Sequence, residues 1–182
     1  MRRVIESTLV SADGIIGSPP TWTGGLFGAE FAARALGQLQ HTDAMLMGRR
    51  TYEMFSGMWS APTDPYGQAL HDVRKVVFSS TLVTADWHGA ELARGGVADT
   101  VRALREEGDG DLLLYGHGGV GHELLATGLL DELRLAVFPV FVGDGTPLAV
   151  SGGRAELELV GTEAVENDIV IHTYRPAGTV RS

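Results

Sequence analysis

The chain contains no cysteine and a single lysine. Without thiols there can be no disulfide, thiolate-bound zinc, iron–sulfur cluster or cysteine nucleophile, and the composition fits a reducing, cytoplasmic setting. The lone lysine, Lys75, stands in Arg74-Lys75-Val76-Val77-Phe78 with no glycine loop around it. Neither a Walker phosphate loop nor a pyridoxal phosphate Schiff base is therefore expected. Positive charge is scarce overall: 14 basic residues face 23 acidic ones, a formal net charge of -9. That balance repels phosphate backbones and anionic lipid at long range and argues against nucleic-acid or membrane-surface partners. Long hydrophobic runs are missing too. The longest, Leu135 to Gly143, has nine residues and contains Pro139, against about 20 for a membrane-spanning helix. The basic N-terminus leads into Val4-Ile5-Glu6-Ser7, where the charge interrupts the apolar stretch a signal peptide requires.

What is present is globular. At 182 residues, 44% hydrophobic and 20% charged, the chain suits one domain, expected over residues 1–176 with a short tail at 177–182. Val4 to Val10 reads as a strand closed by Ser11-Ala12-Asp13-Gly14. The segment Gly17 to Gly25 is rich in glycine and proline and reads as a long mobile loop without regular structure. Phe31, Ala35, Leu36 and Leu39 fall on one face of a helix from about Ala29 to Gln40. Ala44 to Met47, Val76 to Phe78 and Asp111 to Tyr115 read as central strands, and Thr51 is placed to cap the helix that follows the first of them. Val97 to Glu107 is a helix stopped by Gly108, and another runs through Leu124 and Leu125. After Asp131 only strands follow, Leu133 to Val142, Leu157 to Val165 and Ile169 to Tyr174, with turns suited to antiparallel returns. The expected class is α/β, in three layers, with a mostly parallel sheet and antiparallel strands added at the C-terminal end.

Three central strands run into glycine- or hydroxyl-rich turns: Gly48-Arg49-Arg50-Thr51, Ser79-Ser80-Thr81 and Gly116-His117-Gly118-Gly119. In a parallel sheet these share the carboxyl edge, where helix N-termini offer free amides to phosphate. Gly116-x-Gly118-x-x-Gly121 matches the dinucleotide fingerprint formally. It comes late in the chain, however, and the next strand ends in Val137-Phe138-Pro139 without the ribose-binding acid, so it reads as a pyrophosphate turn outside the usual arrangement. Asp13, at the mouth of the first strand, is equally a turn residue and a carboxylate facing substrate. Glu30 is a second candidate acid, or simply an N-terminal helix charge. His122-Glu123 begins a zinc-helix motif, but Ala126 stands where the second histidine would fall, so no metal is expected.

Taken in order, Thr8-Leu9-Val10-Ser11-Ala12-Asp13-Gly14, Met47-Gly48-Arg49-Arg50-Thr51-Tyr52-Glu53, Val77-Phe78-Ser79-Ser80, Leu114-Tyr115-Gly116-His117-Gly118-Gly119, Asp131-Glu132-Leu133-Arg134 and Phe138-Pro139-Val140 resemble the dihydrofolate reductase-like superfamily. Within it the chain resembles the reductase domain of the bifunctional riboflavin-biosynthesis deaminase-reductase, in its stand-alone form. The resemblance implies an NADPH-dependent reductase acting on a small molecule. Gly48, Arg49, Arg50 and Thr51 would hold the adenosine-side phosphates, Ser79 and Ser80 the 2′-phosphate, and Gly116, Gly118 and Gly119 the pyrophosphate. Asp13 would adjoin nicotinamide and substrate, with Glu30 as the other candidate acid, and the loop Gly17 to Gly25, with Trp22, would form a lid. The deaminase half's zinc elements are absent from these residues. The alternatives are a folate-type reductase and a non-catalytic NADPH-binding module. The apolar strand Leu133 to Val142 suits a homodimer interface and a core equally.

Overall fold

The computed structural model describes residues 2–149 and 154–177; the remainder of the tail expected at 177–182 lies outside the described residues. Among the described residues, eight strands form one sheet in the order β4-β3-β2-β5-β1-β6-β8-β7. They are β1 (Val4–Ser11), β2 (Thr42–Gly48), β3 (Arg74–Phe78), β4 (Ala90–Leu92), β5 (Asp111–Tyr115), β6 (Glu132–Phe138), β7 (Leu157–Ala164) and β8 (Val170–Pro176). From β4 to β6 every neighbouring pair is parallel. β8 returns antiparallel to β6, and β7 antiparallel to β8.

The central strands are apolar on both faces because both are covered. Ala44, Leu46, Val76, Leu112 and Leu114 pack with Val97, Val101 and Leu104 of α5 (Val97–Arg105) and Val120 and Leu124 of α6 (Gly119–Ala126). On the opposite face Met45, Met47, Val77 and Leu113 meet Tyr52 and Phe55 of α3 (Arg49–Met58) and Leu70 of α4 (Pro65–Asp72). This is the three-layer α/β arrangement the strand and helix patterns imply.

The structure departs from the sequence reading at several points. The glycine- and proline-rich segment holds regular turns: α1 (Pro20–Thr23), then a 3-10 turn at Gly24–Leu26. Pro19 and Pro20 preset a helical φ, Thr23 Oγ1 donates to the Pro19 carbonyl at 2.9 Å, and Trp22 Nε1 donates to the Gly17 carbonyl at 2.7 Å. Thr51 does not cap α3; the helix starts three residues earlier, at Arg49, with Gly48 as N-cap. The strand expected over Leu133 to Val142 stops at Phe138, because Pro139 cannot continue the ladder. α4 and β4 were not anticipated. α4 carries a readable signal, Asp64-Pro65, whose Asp64 Oδ1 accepts from the Gly67 amide at 2.8 Å. β4 is only three residues long at the sheet edge.

Lys75 is fully buried in β3. Its ammonium donates to the carbonyls of His71 at 2.5 Å and His88 at 2.8 Å and lies 4.1 Å from the centre of the Trp87 ring. Burial lowers its pKa to about 8.

One tertiary contact fixes α2 (Ala29–Leu39) over the sheet. No side chain of its own segment caps it. Instead Glu166, from the turn between β7 and β8, accepts from the Phe31 amide at 2.8 Å. A Cβ at Gly28 would come within 2.5 Å of the same carboxylate, so the chain enters α2 through a residue with no side chain. Glu166→Ala is expected to lower stability by about 0.5–2 kcal/mol, the range for a lost N-cap. Urea unfolding should show a lower midpoint at unchanged slope; an unchanged midpoint would make the contact incidental.

Candidate active site

The three turns singled out in the sequence converge. β2, β3 and β5 lie side by side and point the same way, so their carboxyl ends share one edge. Gly48 stands in register with Phe78, which places Arg49 next to the start of Ser79-Ser80. A Cβ at Gly48 would meet Val120 of α6 at 3.8 Å, and one at Gly116 would meet Thr51 Oγ1 at 3.7 Å. Gly48, Arg49, Arg50, Thr51, Ser79, Ser80, Gly116, Gly118 and Gly119 all line one cleft of about 2000 Å³. That volume exceeds the ~300–1,000 Å³ of ordinary small-ligand pockets, because the cleft is open to solvent and runs along the sheet face from Arg3, His41 and Asp111 at the amino ends of the strands to the carboxyl-edge turns.

The edge suits an anion. α3 and α6 both open with no side-chain cap, leaving first-turn amides free. Additional Cβ atoms at Gly118 or Gly119 would meet nothing within 4 Å, so the backbone there is bare. Gly116 adopts a positive φ of 77°, which turns the chain off β5 and into α6. The two arginines differ. Arg49 is engaged with Glu53 at 3.1 Å on one exposed helix face, whereas Arg50 is exposed and has no ion pair among the described residues. Ser79 Oγ accepts from the amides of Thr81 and Leu82 at 3.1 and 3.0 Å, so its oxygen shapes the turn.

Behind the Gly116 turn lies a buried polar chain that sequence reasoning missed. Glu6 of β1 is fully buried. Its Oε1 accepts from Thr8 Oγ1 at 3.0 Å and shares a 2.8 Å hydrogen bond with His117 Nδ1, while His117 Nε2 lies 3.0 Å from His122 Nδ1. A Cβ at Gly121 would come within 2.5 Å of Glu6 Oε2 and 2.8 Å of His117 Nδ1. The third glycine of the motif therefore makes room for this pair. The available signal was a glutamate as the one charged residue of the first strand.

Neither proposed acid lines the cleft. Asp13 accepts from Ser11 Oγ at 2.5 Å and from the amides of Val142 and Gly143 at 3.1 and 2.7 Å. It braces the loop after β6 against the end of β1. Those bonds, Ser11 foremost, lower its pKa to about 2. Glu30 is exposed on the first turn of α2; Phe31, Arg34 and Ala35 of that helix line the cleft instead. Of the expected lid, Gly17 to Thr21, Thr23 and Gly24 line the cleft. Trp22 turns inward and packs edge-on against Phe138 at 5.7 Å, an anchor for the segment.

The far half of the cleft has a floor of Ile5, Ser7 and Leu9 from β1, Tyr115 from β5, Arg134 and Ala136 from β6, and Thr173 from β8. Arg34 pairs with Glu163 of β7 and joins α2 to the sheet. Among the described residues no helix is long and apolar enough to cross a membrane.

The model of the RibD C-terminal domain family matches residues 2–171. YyaP of Bacillus subtilis, itself uncharacterised, is 28% identical over 142 residues, covering 75% of each chain. Among solved structures, a protein of Shewanella sp. PV-4 assigned to riboflavin biosynthesis superposes with a TM-score of 0.74 at 22% identity, covering 97% of this chain and 99% of that one. The deaminase/5-amino-6-(5-phosphoribosylamino)uracil reductase of Thermotoga maritima gives 0.67 at 15% identity over 96% of this chain and 56% of its own longer chain. At these identities the structural likeness establishes the shared fold.

The Asp13 contacts predict an acid-sensitive brace. As pH falls from about 4, the unfolded carboxyl takes up a proton before the folded one, so this contribution is complete above pH 4 and is lost as pH approaches 2. Denaturant unfolding between pH 5 and 2 should show a steeper loss for wild type than for Asp13→Asn. Parallel curves would show that the brace contributes nothing.

Proposed function

The chain belongs to the RibD C-terminal domain family, and we propose that it is an NADPH-dependent reductase acting on a small heterocyclic or carbonyl substrate. The observation that carries this reading is the convergence of the three strand-end turns on one cleft, with two uncapped helix N-termini and bare glycine backbone. That donor set matches a dinucleotide pyrophosphate. Gly116, Gly118 and Gly119 would hold it, with Gly48 and Thr51 beside them. Arg50 would meet the 2′-phosphate, with Ser80 as a neighbouring hydroxyl. A bound reduced nicotinamide would supply the hydride.

The chain's own residues do the remaining work. Phe31 and Ala35 on α2 and Ile5, Leu9 and Ala136 on the sheet form apolar walls that exclude water from the reacting half. Glu6 and His117 hold the pyrophosphate turn from behind, so the amides are oriented before a ligand arrives. This preorganisation keeps the ordering cost of binding low. The folate-type alternative loses support, because Glu30, the one acid of α2, is exposed and does not line the cleft. Bifunctional relatives such as the Thermotoga maritima protein act on a phosphoribosylated uracil, and a related heterocycle is the natural substrate class to test first.

Cofactor choice tests the edge. A charge-assisted contact to phosphate contributes about 1.5–3 kcal/mol, or roughly a ten- to hundredfold preference for NADPH over NADH. Arg50→Ala should erase most of that preference while leaving NADH affinity within about threefold. Arg49→Ala should do less, since Arg49 is already paired with Glu53. Fluorescence titration of both cofactors at fixed salt decides it. Equal affinities in wild type, or equal losses in Arg50→Ala, would overturn the assignment.

A further inference from the structure

The cleft floor contains a row of polar side chains in apolar surroundings. In the parallel ladders Ser7 of β1 is level with Tyr115 of β5 on one side and with Arg134 of β6 on the other, and Arg134 is level with Thr173 of β8. Residues paired in register project to the same face, and all four line the cleft. Arg134 is engaged with Glu132, its Nε donating to Oε1 at 2.5 Å.

Tyr115 heads this row at the end of β5, immediately before the Gly116 turn proposed to carry the pyrophosphate. It is 9% exposed, and its hydroxyl makes no hydrogen bond of normal geometry among the described residues. A buried hydroxyl without a well-formed partner costs up to about 1–3 kcal/mol, and one that lines a binding cleft recovers that cost when a ligand supplies an acceptor. The surroundings fit a flat ring. Tyr115 packs 5.7 Å from Phe55, Phe55 lies 4.8 Å from Trp59, and Trp59 lies 5.7 Å from Tyr66. All of these aromatics line the cleft.

We propose that the Tyr115 hydroxyl is a substrate-binding hydrogen-bond donor, aimed at a carbonyl or imine acceptor on a planar heterocycle, with Ser7 as the next polar contact along the floor. The assignment rests on the cleft being the substrate site of the reductase proposed above. The Tyr66 hydroxyl is the neighbouring polar group and interacts with that of Tyr115, without completing a hydrogen bond of normal geometry. Burial pushes Tyr66 up to about 12 and Tyr115 well above the ordinary phenol range. Tyr115 therefore keeps its proton at neutral pH and serves as a donor rather than a base.

The test uses lumazine, a planar and intrinsically fluorescent pyrimidinedione, as the binding probe on the intact protein, with NADPH titrated separately. Tyr115→Phe removes the hydroxyl and keeps the ring packed on Phe55; Ser7→Ala is the second variant. Tyr115→Phe should weaken lumazine binding roughly tenfold, as for one lost hydrogen bond, and Ser7→Ala should weaken it by a smaller factor. NADPH affinity should stay within about twofold in both. Equal lumazine affinity in wild type and Tyr115→Phe, or no lumazine binding by wild type, would overturn the Tyr115 assignment. Failure of wild type to bind NADPH would instead overturn the reductase reading, while the lumazine comparison still decides the role of Tyr115.

Discussion

Parallel neighbours cannot be joined by a tight turn, and this constraint sets the position of everything else in the molecule. Each passage from one parallel strand to the next requires a crossover that lies on a face of the sheet. The turns leaving β2, β3 and β5 must then emerge on one edge, and the helices that follow two of them begin there. A helix that begins at a strand end with no side-chain cap leaves its first amides available. α3 and α6 both start this way. The cluster of uncapped helix N-termini at one edge is thus a consequence of topology, with the glycines at 48, 116, 118 and 119 leaving its backbone open and Arg50 exposed beside it.

The same edge depends on polar groups buried beneath it. Glu6 sits at full burial in the central strand, and breaking a buried pair by removing one member typically costs about 3–5 kcal/mol. Such a group is tolerable only when held in place, and Thr8, His117 and His122 provide the hydrogen-bonded chain that holds it. The arrangement rigidifies the Gly116 turn from behind while its outer surface stays bare for a ligand. Arg2 plays a comparable part at the opposite end of the sheet. It is nearly fully buried and donates to the carbonyls of Gly110 and Leu104 and to Asp43.

Strand and helix identities were legible wherever hydrophobic period decided them. Ala44 to Met47 and Asp111 to Tyr115 are apolar on both faces and lie in the sheet interior, and the Phe31, Ala35 and Leu39 spacing places those residues in the core beneath α2. The three strand-end turns were legible for a related reason, since glycine or paired hydroxyl residues directly after a buried strand mark the point where the chain leaves the sheet. The fate of the two acids was not. Asp13 and Glu30 were distinguished from structural residues only by chain position, and position cannot say which amides a carboxylate will meet. Asp13 meets those of Val142 and Gly143, about 130 residues away in the chain. Tyr115 escaped notice for the opposite reason: at the end of an apolar strand it reads as core, and only the register with Ser7 and Arg134 shows the polar row it heads.

A formal charge of -9 sits uneasily with an anion-binding edge until distances are compared. At physiological ionic strength the Debye length is about 8 Å, so charges farther away are largely screened. What an anion in the cleft experiences is local: two helix N-termini, the bare amides around Gly118 and Gly119, and an arginine with no ion pair among the described residues. Of the acidic residues that line the cleft, Glu53 is paired with Arg49, Glu163 with Arg34, Asp111 with Arg3 and Glu132 with Arg134, while Glu123 accepts from the Ala98 amide. The global charge acts on the approach of an anionic ligand, whereas affinity is set by contacts formed after arrival. A strongly acidic protein can therefore carry a site for a highly anionic cofactor, provided its donors are backbone amides whose partial charges do not count toward the net.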